Sequence, residues 1–147
     1  MITPRLRSPS EHELTSFTNA GVVLFAKELA TMTAFYADVL DVPVPASRDD
    51  TIAVLECGGM RLVLHAIPAP IAETIEIAQP PARREDAAMK LSLPVRSFSR
   101  VRALASGHGG ALDAEERAWE YAGRRYCDGH DPEGNVVQFH EVAAHPA

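Results

Sequence analysis

The feature that most constrains this chain is that its pattern runs twice. Sliding the first half over the second at an offset of about seventy residues sets Val22 against Leu91, Leu24 against Leu93 and Ala26 against Val95. The same shift sets Leu29 against Phe98, Met32 against Val101 and Phe35 against Leu104. Identity between the copies is low, but strand, helix and spacing coincide throughout. An internal duplication is the simplest account.

Each copy starts with a strand and continues into a helix. Gly21 to Ala26 is a short apolar run of strand character. Leu29, Met32, Phe35, Tyr36, Val39 and Leu40 then recur at three- and four-residue spacing, which predicts a helix with one apolar stripe, stopped by Pro43. Thr51–Glu56 and Met60–Ile67 read as strands joined at Cys57-Gly58-Gly59, and Val44 to Ser47 as a further short strand before them. The second copy opens with a strand over Met89–Val95, where Pro94 signals an edge or a bulge. Ser97 is the expected N-cap of a helix whose stripe is Phe98, Val101, Leu104 and Ala105, ending at Gly107-His108-Gly109-Gly110. Ala111–Tyr121, Arg124–His130 and Val136–Val142 supply three more strands.

The expected class is therefore α+β, built from duplicated β-α-β-β-β modules at 20–67 and 87–142. A flexible lead-in (1–19, with one helical turn around Ser10 to Phe17) precedes them, and a short tail (143–147) follows. Between them, residues 68–86 carry Pro68, Pro70, Pro80, Pro81 and the run Arg83-Arg84-Glu85-Asp86. They read as a connector whose Ile75 and Ile77 pack on a neighbouring surface.

Composition narrows the function classes. The formal charge of −6, with no basic stripe, argues against a nucleic-acid or anionic-membrane partner. No apolar run approaches the ~20 residues of a membrane span, and no apolar leader segment is visible near Met1. Cys57 and Cys127 are too few and too far apart for a disulfide framework or a zinc site, so buried thiols and a cytoplasmic location are expected.

The closing segment is Asp131-Pro132-Glu133-Gly134-Asn135-Val136-Val137-Gln138-Phe139-His140-Glu141. Asp131 can bond backbone ahead of it, Pro132 presets φ, and Gly134 and Asn135 tolerate φ > 0, so this is a tight turn feeding a strand. Two-residue alternation puts Val136, Gln138 and His140 on one face and the bulkier Val137 and Phe139, with Glu141, on the other. An ordinary hairpin turn explains residues 131–135 by themselves.

This motif, closing the second of two duplicated modules, resembles the vicinal oxygen chelate superfamily of glyoxalases, bleomycin-resistance proteins and extradiol dioxygenases. Phe35-Tyr36 through Leu40, and Gly123-Arg124-Arg125-Tyr126 before Asp131, are similar too, and the likeness spans roughly residues 20–142. The resemblance implies a curved sheet cup around a small-molecule site, and a homodimer. In enzymes of that family one divalent metal sits on four strand positions. Carried over, these fall on Gly21, Val63, Lys90 and Gln138. Two have no donor atom, an ammonium repels a divalent cation, and a neutral amide is a weak ligand, so no metal cofactor is expected.

The same faces offer other chemistry. Parity with Val63 brings in His65, parity with Gln138 brings in His140, and Lys90 shares a face with Ser92, while Phe25 supplies an apolar wall. Trp119 and Tyr121 either wall a planar ligand or pack at an interface. The candidate ligand-binding set is thus His65, Lys90, Ser92, Trp119, Tyr121, Gln138 and His140. Lys90 either meets an anionic group of the ligand or pairs with an acidic neighbour such as Glu141 or Glu56. Asp128 and His130 form either an acid/base pair or a solvated hairpin end. Three functions follow: a metal-free binding protein for an aromatic or antibiotic-like compound; a metal-dependent lyase, isomerase or dioxygenase with ligands rearranged to His65, Gln138 and His140; or a cofactor-free enzyme with Lys90 or a histidine as base.

Overall fold

The computed structural model describes residues 20–44 and 50–141. The first half comprises β1 (Gly21–Ala26), α1 (Leu29–Leu40), β2 (Ile52–Cys57) and β3 (Met60–Ala66). Its sheet runs β1-β3-β2, with β1 parallel to β3 and β2 antiparallel to it. A one-turn helix, α2 (Ala69–Ala72), follows Pro68 inside the segment expected as a plain connector, with Pro70 in its first turn, where a missing N–H costs nothing. The second half comprises β4 (Leu91–Val95), α3 (Phe98–Ala105), β5 (Ala111–Leu112), β6 (Trp119–Tyr121), β7 (Arg124–His130) and β8 (Val136–Glu141).

In the second sheet the order is β4-β8-β7-β5, β6 also pairs with β7, and β4 runs parallel to β8 as β1 does to β3. The α+β class and the duplicated plan hold. One detail differs from the sequence reading, and another falls mostly outside the described residues. Ala111–Tyr121 is not one strand, because a 3₁₀ turn at Glu115–Arg117 breaks it into β5 and β6, which share one edge of β7. The first sheet has three strands among the described residues: Val44 is not in a strand, and residues 45–49, like the turn expected near Ser10 and the terminal Val142, lie outside them.

α1 and α3 cover the same side of the two sheets. α1 packs on β2, β3 and β4 and against α3, while α3 packs on β8. Their stripes fill the core as the spacing predicted: Met32, Phe35, Tyr36 and Val39 from α1, and Phe98, Val101 and Ala105 from α3, are all buried. Leu62, Leu64, Leu93, Val95, Val137 and Phe139 meet them from the strands. Ser97 caps α3 as expected, its Oγ accepting from the Arg100 N–H at 3.2 Å. β1 and β4 face each other across a cleft of about 190 Å³ lined by Val22, Leu24, Tyr36, Met89, Leu91 and Val137.

The turn at Asp131–Asn135 does more than reverse the chain. Asp131 is fully buried, and its carboxylate accepts from the Tyr36 hydroxyl (2.8 Å), the Glu133 N–H (2.9 Å), the Asn135 N–H (3.0 Å) and the Asn135 side-chain amide (2.8 Å). Burial first, and the Asp131 charge second, push the Tyr36 phenol well above its ordinary value, so it stays a donor. Glu133 reaches back in turn and accepts from the Lys27 and Glu28 N–H groups at 2.8 and 2.9 Å. The N-cap residue of α1, Glu28, makes no side-chain cap of its own, so the helix is capped from the other half of the chain.

Only Gly134 takes positive φ here, at 87°; Asn135 does not. A Cβ on Gly134 would lie 2.1 Å from the Ala82 carbonyl oxygen, and the Arg84 N–H donates to the Gly134 carbonyl at 2.9 Å. The proline-rich segment is thereby laid across the turn.

Removing the Tyr36 hydroxyl leaves one lone pair of a buried carboxylate without a donor. Tyr36→Phe is expected to lower unfolding free energy by about 1–3 kcal/mol, with little change in urea m-value, as read from a urea denaturation curve.

Candidate ligand-binding face

With the helices on one side, the described residues leave the opposite side of both sheets open, and strand register says which side chains it carries. In the first sheet three rows cross it: Gly21–Arg61–Glu56, Val23–Val63–Val54 and Phe25–His65–Ile52. In the second, Ser92–Gln138–Asp128 forms one row and Pro94–His140–Tyr126–Trp119 the next, with Arg124 opposite Tyr121 beyond them. The first face is mainly apolar, with Val23 and Phe25 more than half exposed. The second is polar with an aromatic flank.

All seven residues singled out from sequence lie on this side, but they do not form one cluster. Lys90, Ser92, Gln138, His140 and Trp119 are brought together on the second sheet. His65 stands on the first, edge-on to Phe25 (ring centroids 5.6 Å apart), with Nδ1 3.0 Å from the Ala66 carbonyl. Tyr121 is 72% exposed at the rim.

A network links the second-sheet group. Lys90 Nζ lies 3.0 and 3.1 Å from the two Asp128 carboxylate oxygens and 6.0 Å from the centroid of the Trp119 ring. Trp119 stacks on Tyr126 (5.9 Å, 20°), which tilts against His140 (5.8 Å, 49°). Ser92 Oγ donates to Gln138 Oε1 at 2.8 Å and lies 3.1 Å from His140 Nδ1. With the single serine proton given to Gln138, Nδ1 must be the donor to Ser92, which leaves the His140 Nε2 lone pair unused. Desolvation, and after it the Arg124 charge, hold His140 below the ordinary imidazole value, so the neutral ring is favoured near neutral pH.

Two expectations need correcting. The carboxylate that pairs with Lys90 is Asp128, not Glu141 or Glu56. Glu141 projects to the helix side, where it accepts from the Phe98 N–H (2.9 Å) and pairs with Arg125 (3.2 Å). Glu56 lies on the first sheet beside Arg61, whose Nε is 3.1 Å away but off hydrogen-bond geometry. Asp128 and His130 do not act as a pair, since His130 Nδ1 contacts the Asp131 carbonyl at 3.0 Å. Sequence reasoning passed over Tyr126 and Arg124, although both share the parity of Asp128 on β7.

The metal positions can now be judged by their chemistry. Gly21 and Val63 offer no donor, and a Cβ on Gly21 would lie 3.0 Å from the Arg61 carbonyl oxygen, so a longer side chain requires β3 to give way. Lys90 is held by Asp128 and Gln138 by Ser92. The rearranged set is split, with His65 and His140 on different sheets. Among the described residues no three His, Cys, Asp or Glu side chains gather closely enough to hold a metal ion. These donors do not fit the divalent ion of the metal-dependent enzymes.

Comparison with known proteins agrees with this architecture. Residues 21–140 match the family model described as a glyoxalase-like domain, and the chain belongs to that family. No curated protein matches it significantly. Among solved structures it is similar to a glyoxalase/bleomycin resistance protein from Albidiferax ferrireducens T118 (TM-score 0.58, 14% identity, covering 84% of this chain and 98% of that one). It is also similar to a glyoxalase/bleomycin resistance protein/dioxygenase family enzyme from Burkholderia phytofirmans PsJN (TM-score 0.59, 20% identity, 84% and 98% covered). A glyoxalase-related enzyme from Fulvimarina pelagi is a third (TM-score 0.56, 16% identity, 84% and 86% covered). At these identities the likeness shows the fold alone. No helix among the described residues is long and apolar enough to cross a membrane.

The depressed imidazole has a consequence for stability. Since the fold favours neutral His140, its contribution is intact above the ordinary histidine value and is lost as pH falls below that value towards the folded one. NMR titration of His140 should give a midpoint below about 6.5. Arg124→Gln should raise that midpoint only part of the way, because desolvation is the larger cause.

Proposed function

We propose that this member of the glyoxalase-like family is a metal-independent small-molecule-binding protein whose ligand lies on the open side of the sheets. The observation that carries the reading is the fate of the metal positions. Lys90 and Gln138 are engaged by Asp128 and Ser92 in a hydrogen-bonded group beside a Trp119–Tyr126–His140 ledge. Such a surface is built to orient a ligand by hydrogen bonds and to stack on its planar part. The first sheet adds an apolar wall of Val23, Val63 and Phe25, with His65 as a polar point within it. An amphiphilic compound with an aromatic portion, as in an antibiotic-like ligand, suits the two halves of the face.

A homodimer is part of the same reading. Met89 (77%) and Ile71 (55%) are exposed apolar side chains that a second copy would cover. The buried free thiols of Cys57 and Cys127 are compatible with a cytoplasmic protein. The alternative remains a metal-dependent lyase, isomerase or dioxygenase that draws on His65, Gln138 and His140.

Elemental analysis of protein prepared with nickel, zinc, manganese and iron separates the two. Binding without metal predicts no stoichiometric metal, and a melting temperature raised by a compound from an aromatic panel even in the presence of chelator. One metal per chain, lost in His65→Ala or His140→Ala, would replace this reading with the metal-dependent one.

A further inference from the structure

The open face has an unbalanced charge, and it says what kind of ligand the face receives. Its cations can be taken in turn. Arg61 lies 3.1 Å from Glu56, and Lys90 is held by both oxygens of Asp128. Arg124 lies opposite Tyr121 in the β6–β7 register. No carboxylate contacts Arg124 among the described residues, whereas its chain neighbour Arg125, on the helix side, is held by Glu115 and Glu141. Strand alternation places Arg124 two residues from Tyr126, on the same side. Its charge is also felt at His140. The unpaired guanidinium thus stands beside the aromatic ledge that runs from Trp119 through Tyr126 to His140, two residues along β7 from its middle member.

We propose that the face takes a planar aromatic compound bearing a carboxylate, the ring lying along the Trp119–Tyr126–His140 ledge and the carboxylate pairing with Arg124. This rests on the binding reading above and adds the sign of the ligand's charge, which is opposite to what the net charge of −6 alone would favour. A guanidinium offers a planar fork of N–H donors that matches a carboxylate with two parallel bonds. Lys90 is a poorer partner, because Asp128 already cancels its charge. His140, with Nδ1 turned to Ser92, presents Nε2 as an acceptor for a hydroxyl or N–H on the ring.

The chain has one tryptophan, so its single indole N–H resonance reports on the ledge directly. Three probes of one shape would be titrated by NMR: 2-naphthoate, 2-naphthylmethanol and 2-naphthylmethylammonium. The expected result is that naphthoate shifts the Trp119 resonance at about tenfold lower concentration than the other two. Arg124→Gln should erase that preference with the melting temperature unchanged, and Arg124→Lys should keep part of it. If the ammonium probe binds as well as the carboxylate, or if Arg124→Gln retains the preference, this inference is overturned while the binding reading stands. If no probe moves the resonance, the ledge is not a binding surface and both fail.

Discussion

The carboxylate of Asp131 is the interaction on which the rest of the structure depends. A fully buried carboxylate is costly unless donors surround it, and here four donors do so. Three of them come from within its own turn and fix the turn's shape. The fourth, the Tyr36 hydroxyl, comes from the middle of α1, ninety-five residues away in sequence. Because α1 lies over β2, β3 and β4, anchoring it to the β7–β8 turn sets how one sheet stands against the other. Glu133 holds the N-terminal end of the same helix by its two backbone bonds. The two halves are joined by a polar bolt through an otherwise apolar core.

Once the helices have claimed one side, alternation along each strand divides the chemistry of the chain. Adjacent residues take opposite roles. Arg125 lies over the Phe98 ring and pairs with Glu141, so it belongs to the packing of α3, whereas Arg124 looks outward. Gln138 and His140 meet Ser92 on the open side, and Phe139 between them is buried under the helices. A slip of one residue in β7 or β8 would exchange these sets and put charges in the core, so burial of Cys127, Val137 and Phe139 also specifies the open face.

Local pattern carried much of this and long-range pairing did not. The stripes of α1 and α3, the Ser97 cap, the faces of β8 and the grouping of Lys90, Ser92, Gln138 and His140 were legible because each follows from a period or a nearest neighbour. Glu141 as a partner for Lys90 was excludable by the same rule, since it shares parity with buried Phe139. Asp128 as that partner required knowing that β7 adjoins β8 on the side away from β4, which Lys90 spans with its long side chain. The break between β5 and β6 was hidden because the stretch has no proline or glycine to mark it; an acidic 3₁₀ turn, held by Arg102 and Arg125 through Glu115, makes it. The reach of Asp131 to Tyr36 leaves no trace in local sequence at all.

At two of the positions carried over from the family's metal site, Lys90 and Gln138, the side chains are held by their neighbours, and this bears on what the face is for. Lys90 brings a fixed positive charge to it, and Asp128 accepts that charge with both oxygens. Gln138, two residues on from Val136, turns its carbonyl oxygen to Ser92, whose oxygen in turn meets His140. A divalent ion brought to Gln138 would have to compete with the Ser92 hydroxyl for that oxygen and tolerate the Lys90 ammonium nearby, both unfavourable. A neutral or anionic ligand meets neither obstacle. The ring of the ligand proposed above would meet Trp119 and Tyr126, and its polar edge groups already held in position by their neighbours, so little side-chain freedom would be left to lose on binding. A pre-ordered polar surface beside an aromatic ledge gains affinity by that route without needing an ion to organise it.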